Sequence, residues 1–400
     1  MSSASILGLA DVFVALLVAL AIVALVSRRF AVPYTVALVV FGLLVSIAAP
    51  HLDITLTPEL VLAILVPGLV FEAALRMDAA ALRENIAAVT LLALPGVVIV
   101  AGLVAVVLHV MAGLSFESAF LVGAMVSATD PMAVIATMRH VFVPAPLANL
   151  IEAESLFNDG TGVVLFTVAI GGGDLLTQGV PSFFVIFVLS AAIGASLGAA
   201  AAWVAGRLDD VNLELTLTLI CAYGTYLVAE AAGQSGIIAT VVAGIVLGNL
   251  GRTTIPSRGR VAIDTVWSYL AFLVTAVVFL LIGLTITPSE IVDAAGVIAW
   301  AVVAVLLGRA VVVYGLFLGI GRMRGGAQLG LRLPLAWVHV LFWAGLRGAI
   351  AVALALSLPA TQPDRQLLQS VVFGIVLFTL LVQASTAGWV LRSAPATTRR

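Results

Sequence analysis

Five ionisable residues stand deep inside long apolar stretches: Asp130, Glu154, Asp159, Arg309 and Arg347. An ionised side chain at membrane depth costs at least ~2.5–3.5 kcal/mol, so such groups are paired or face water, and they mark ion and proton pathways. Their neighbours sharpen that chemistry. In Ser127-Ala128-Thr129-Asp130-Pro131 a carboxylate immediately precedes a proline. Pro131 removes a backbone donor and clashes with the preceding turn, and it disfavours α conformation at Asp130. An interrupted helix, with free amides and carbonyls beside the carboxylate, is expected there; an ordinary proline kink is the plainer alternative. In Glu154-Ser155-Leu156-Phe157-Asn158-Asp159-Gly160, Glu154 and Asn158 are four apart, as are Ser155 and Asp159. Two adjacent helical stripes therefore project polar groups to one side. A structural polar seam could use some of them, but two carboxylates, a hydroxyl and an amide exceed what helix packing needs. In Trp343-Ala344-Gly345-Leu346-Arg347-Gly348-Ala349, two glycines flank the arginine. Close packing through small residues explains the glycines; it does not explain Arg347. Glu72 and Glu230 lie nearer the ends of their apolar runs and read first as snorkelling or locally paired carboxylates.

The elements that hold these groups follow from composition. Apolar residues make up 63% and charged residues 10%, against about 45–50% and 25% in soluble domains. So few charges cannot cover a water-soluble surface of this size. The apolar runs are long and nearly continuous, unlike the short alternating strands of a barrel, so the expected fold is an all-α polytopic membrane protein. Runs of about 17–25 residues fit a hydrocarbon core of about 30 Å. About thirteen are read, centred near residues 17, 41, 67, 98, 126, 159, 194, 222, 242, 275, 308, 345 and 379. No soluble domain fits between them. The interruptions in spans 5 and 12 are seven crossings apart, and an odd offset reverses chain direction. An inverted repeat of spans 1–6 and 8–13 is therefore expected, with interrupted helices crossing at the midplane and a transport site between them.

All 18 basic residues are arginine. Apart from the deep Arg309 and Arg347, they follow odd-numbered spans, with Arg365 the one exception. The positive-inside rule then places the N-terminus outside and the C-terminus in the cytoplasm. No basic stretch precedes the first span, so a cleaved signal peptide is not expected. Without lysine, Schiff-base chemistry is excluded. Cys221 is the single cysteine, so neither an internal disulfide nor a multi-cysteine metal site is available.

These motifs resemble those of the monovalent cation:proton antiporters, in the sodium/proton exchanger (NhaP-like) branch. The resemblance rests on Phe71-Glu72-Ala73-Ala74-Leu75, Thr129-Asp130-Pro131, the Glu154 to Gly160 run, Ser235-Gly236-Ile237 to Ala243-Gly244, Gly308-Arg309, and Gly345-Leu346-Arg347-Gly348. They occur in family order and cover most of the chain. Ala344 departs from the pattern, standing where a further glycine is common. The resemblance implies a secondary active antiporter, not an enzyme, exchanging Na+ (or Li+) for H+. Asp159 would hold the cation or the proton alternately. Asp130, Ser155 and the carbonyl of Thr129 would complete the Na+ site, with Glu154 nearby. Asn158 would brace the crossing, Arg309 would pair with Glu154, and Arg347 would support the site. Asn158-Asp159, in place of two adjacent aspartates, goes with the electroneutral branch. The resemblance also implies a homodimer in the plasma or inner membrane, serving pH homeostasis. Residues 1–84 and 182–287 would form its scaffold, and residues 85–171 and 296–392 its moving core. The transported ions apart, no cofactor and no nucleic-acid partner are expected.

The deep charges suggest how coupling would work. Asp130, Glu154 and Asp159 contribute −3, and Arg309 with Arg347 contribute +2, leaving −1. One sodium ion or one proton would cancel it, and one-for-one exchange follows if only the neutral core crosses. Potassium remains an alternative substrate, because ligand type does not set cavity size. Two other classes stay open. Gly194-Ala195-Ser196-Leu197-Gly198 spells the hydrolase motif G-x-S-x-G, which requires a strand-to-helix elbow and a histidine base. A passive channel or sensor on the same fold is the other.

Overall fold

The computed structural model describes residues 3–30, 32–48, 60–130, 143–171, 179–323, 326 and 331–392. Pro131, Arg139, Arg324, Arg399 and Arg400 lie outside the described residues. Regular structure among those described is all helical. In chain order the helices are α1 (Ser3–Phe30), α2 (Tyr34–Ala48), α3 (Val66–Arg76), α4 (Ala79–Ala112), α5 (Phe116–Met125) and α6 (Ala145–Ile170). Then come α7 (Val180–Ala205), α8 (Val211–Ala231), α9 (Gly236–Thr254), α10 (Ser257–Thr285) and the short α11 (Pro288–Asp293). The chain ends with α12 (Ala295–Arg322), α13 (Leu335–Trp343), α14 (Ala349–Leu356) and α15 (Arg365–Arg392).

Local chemistry sets these boundaries. Asp78 opens α4 by accepting from the Ala80 amide at 2.8 Å, Ser115 opens α5 through the Ser118 amide at 3.1 Å, and Asp210 opens α8 through Asn212 and Leu213. Each side chain satisfies an amide that the first helical turn leaves without a partner. Pro95 lies inside α4, where a widened turn over Leu92–Gly96 absorbs it without ending the helix. A proline in a helix interior removes one bond and crowds the previous turn; a wider turn relieves both.

Among the described residues, seven helices are long and apolar enough to cross a membrane: α4, α7, α8, α9, α10, α12 and α15. Of the other expected spans, α5, α6, α13 and α14 fall short of that measure for physical reasons. Helix α6 has 26 residues, but Glu152, Glu154 and Asp159 make it too polar by composition. Helices α5, α13 and α14 are short because the chain unwinds beside them, at 126–130 and at 344–348.

Packing is closest within two groups. In one, α9 lies against α7 and α3, and α10 lies against α2. In the other, α12 and α5 pack on α4, while α14 and α15 pack together and both reach α5. Helix α6 contacts α4 and α5 on one side and α9 on the other. The chain passes from one group to the other at the α3–α4 corner, which α9 pins. Asn249 donates to the Met77 carbonyl at 2.9 Å and accepts from the Ala79 amide at 3.0 Å. Arg252 pairs with Asp78 at 2.8 Å. The Arg252 guanidinium and the Ala80 and Ala81 amides hold the Asp78 carboxyl below the usual carboxylate range.

Candidate functional site

Two breaks in the helical ladder build the site. The first follows α5: its last turn closes at Met125, and residues 126–130 leave the helix. The second separates α13 from α14 over residues 344–348. The breaks meet and satisfy each other's backbone. The Asp130 amide donates to the Leu346 carbonyl at 2.9 Å. The Arg347 guanidinium donates to the carbonyls of Ser127 at 3.1 Å and Ala128 at 3.0 Å, two acceptors that the ending of α5 leaves open. Arg347 is 1% exposed. Its partners are backbone carbonyls, a geometry that summing charges did not anticipate. The glycine after it has a steric reason: a Cβ on Gly348 would land on the Asp130 carboxylate.

Helix α6 carries the remaining groups, and its two polar stripes diverge. Glu154, 1% exposed, faces α12, where Arg309 grips both carboxylate oxygens. Arg309 Nη2 is 2.9 Å from Glu154 Oε2 and also donates to the Leu341 carbonyl at 2.8 Å. A fork-on-carboxylate pair of this kind fixes both partners geometrically. Asn158 Nδ2 donates to Glu154 Oε1 and to Thr129 Oγ1, each at 3.1 Å. Thr129 Oγ1 in turn donates to Ser155 Oγ at 3.1 Å. Asn158 thus ties α6 to the first break, while its own Oδ1 is buried without a hydrogen-bond partner.

Asp159 faces the other way. With Thr129 and Asp130 it lines a cavity of about 180 Å³. Glu152 and Leu156 of α6, Glu72 and Arg76 of α3, and Gly348 line the same space. The structure therefore brings Asp159, Asp130 and Thr129 to one cavity. It places Ser155 beside Thr129, and Glu154 behind, paired to Arg309. Glu72 is ion-paired to Arg76 one turn along at 2.9 Å. Glu230 accepts from the Gly236 amide at 2.9 Å, a local role at the start of α9.

Sequence reasoning missed Glu152, seven residues before Asp159 and so on the same helical face, a spacing that would have revealed it. It also missed Thr379, whose hydroxyl touches the second break; a lone threonine in an apolar run carries no such signal. Gly194 and Gly198 sit within α7, where an added Cβ would strike the backbone of Ala239 and Ala243 in α9. Ser196 donates to the Ala192 carbonyl of its own helix at 2.8 Å. The G-x-S-x-G run is a packing seam with no strand-to-helix elbow.

An all-helical bundle in which two unwound stretches of chain meet beside Asp130 and Asp159 has the form of a membrane transporter with a discontinuous-helix site. The chain belongs to the transmembrane sodium/hydrogen exchanger family, whose model matches residues 13–393. It is 39% identical over 367 residues to the low-affinity Na+/H+ antiporter NhaS1 of Synechocystis, covering 90% of this chain and 69% of that one. It is 40% identical over 364 residues to the Na+/H+ antiporter ApNhaP of Aphanothece halophytica, covering 89% and 68%. The structure of the sodium proton antiporter MjNhaP1 from Methanocaldococcus jannaschii at pH 8 shares the fold, with TM-score 0.75, 20% identity and coverage of 96% and 99%. These relatives are transporters, not enzymes.

Proposed function

We propose that this protein exchanges one Na+ (or Li+) for one H+ across the plasma or inner membrane. Asp159 holds the two alternately. Asp130, Ser155 and Thr129 complete a site of oxygen ligands suited to a hard cation, and Asn158, Arg309 and Arg347 support it. The observation that carries this reading is the shared cavity of Asp159 and Asp130 beside two breaks whose backbone groups satisfy each other. In this reading about thirteen crossings, with the N-terminus outside and an inverted repeat relating them, surround that site. Residues 85–171 and 296–392 move as an elevator-like core against a scaffold of 1–84 and 182–287, in a homodimer that needs no cofactor and serves pH homeostasis.

The test is proton flux in proteoliposomes carrying an internal pH dye, driven in turn by gradients of sodium, lithium and potassium. Sodium should drive flux, and Asp159→Asn should abolish it while the protein keeps its helix content and melting temperature. Exchange retained by a folded Asp159→Asn protein removes Asp159 from the role. Alkali-metal flux without any proton movement removes the antiport reading and leaves a channel.

A further inference from the structure

Thr379 lies on α15, outside every motif that points to the site, yet it is 1% exposed and touches the second break directly. Its hydroxyl accepts the Arg347 backbone N–H at 3.1 Å. Its one hydrogen is shared between the Arg347 carbonyl at 3.3 Å and the Val376 carbonyl of its own helix at 3.0 Å. A threonine in a helix ordinarily bonds only its own preceding turn. Here the same oxygen serves a residue that has left the helix, at a point where neighbouring turns supply no ladder partner. A buried amide without a partner is costly, so this contact holds the break in place.

What the break holds is the ion site. Leu346, next to Arg347, accepts the Asp130 amide at 2.9 Å. The Arg347 side chain carries the carbonyls of Ser127 and Ala128, and Gly348 lies against the Asp130 carboxylate. These links between the second break and residues 127–130 leave from Leu346, Arg347 and Gly348, and Thr379 fixes the backbone of the middle one. We propose that Thr379 is a positioning residue of the exchange reaction: through Arg347 its hydroxyl sets where Asp130 stands relative to Asp159, and so sets the affinity of the site for its cation. This rests on the proposed role of Asp130 and Asp159 as cation ligands.

The test compares Thr379→Val, which keeps the shape and loses the hydroxyl, with Thr379→Ser, which keeps the hydroxyl and loses the methyl. Sodium-dependent proton flux is measured in proteoliposomes with the amount of folded protein known. Valine should raise the apparent KM for sodium about tenfold, equivalent to about 1.4 kcal/mol, and serine should keep the wild-type KM. A purely structural role would lower the maximal rate through loss of folded protein and leave KM alone, and that result overturns the proposal. Should the valine protein fail to fold, Thr379→Ala removes the same hydroxyl without strain. The serine protein decides independently, because a tenfold rise in its KM contradicts a role carried by the hydroxyl. Wild-type vesicles without sodium-driven proton flux would defeat the exchange reading itself; wild-type flux with an unchanged KM in the hydroxyl-free variant defeats only the assignment of Thr379.

Discussion

Glu154 and Arg309 are 1% and 5% exposed and bind each other through both carboxylate oxygens. Removing one member of such a pair strands a buried charge, which typically costs about 3–5 kcal/mol, whereas replacing both is far milder. Arg309→Gln should therefore lower the melting temperature sharply, and adding Glu154→Gln should recover part of the loss. The coupling energy from the double-mutant cycle checks this; a coupling near zero, with the effects simply adding, contradicts the pair. Much of the residue-scale picture was legible in the chain. Asp130, Glu154, Asp159, Arg309 and Arg347 announce themselves because an ion among apolar residues has few bland explanations. Their partners were less so. Arg347 entered the charge sum as a counter-ion, but its guanidinium caps the carbonyls of Ser127 and Ala128. A sum records sign, and the direction of the side chain is set by how two breaks more than 200 residues apart come together. The divergence of Glu154 and Asp159 was hidden for a related reason: spacing places both on polar stripes, and only the neighbouring helices show that one faces α12 and the other the cavity.

At the scale of elements, the site depends on one helix, α5, that stops at Met125 and on a pair, α13 and α14, separated by an unwound stretch. Gly348 is the N-cap of α14, and a Cβ added there would meet the Asp130 carboxylate. Glycine is preferred over alanine at an N-cap, so propensity alone would make Gly348→Ala mildly destabilising. Steric contact adds a larger penalty. Its methyl group must displace Asp130 or push the breaks apart, so sodium-driven flux should fall by at least about tenfold, a barrier change near 1.4 kcal/mol. Paired measurements of flux and melting temperature check this, and a variant that is more stable and fully active shows the contact to be dispensable. Both breaks were readable in the sequence, from Asp130-Pro131 and from the glycines around Arg347. Pro95 shows the limit of that reading: it also sits in an apolar run, yet α4 continues past it through a widened turn. A proline marks stress on the ladder, and whether the helix breaks depends on whether another element takes up the freed groups. At Asp130 and Leu346 one does.

For the whole molecule, the decisive quantity under the proposed elevator-like exchange is the net charge of the part that moves. Glu154 and Arg309 cancel as a pair. Arg347 at +1 and Asp130 with Asp159 at −2 leave a surplus −1 among these three deep residues, while Glu152, Glu72 and Arg76 also line the cavity of the two aspartates. One sodium ion or one proton cancels it equally well, and two sodium ions would leave a net positive core facing hydrocarbon. Under the proposed one-for-one exchange the loaded site is then neutral in both directions, and the membrane field does no work on it. Moving one net charge would instead couple to the field by about 2.3 kcal/mol per 100 mV. That is a factor of about 50 in the gradient sustained at equilibrium. Clamping proteoliposomes at zero and at −100 mV with a potassium diffusion potential should therefore leave the initial rate and the final pH gradient of sodium-driven exchange unchanged. A final gradient that shifts with the clamp means that the carrier moves with net charge. In that case either Arg347 does not offset one of the two carboxylates or a second ion travels with the first.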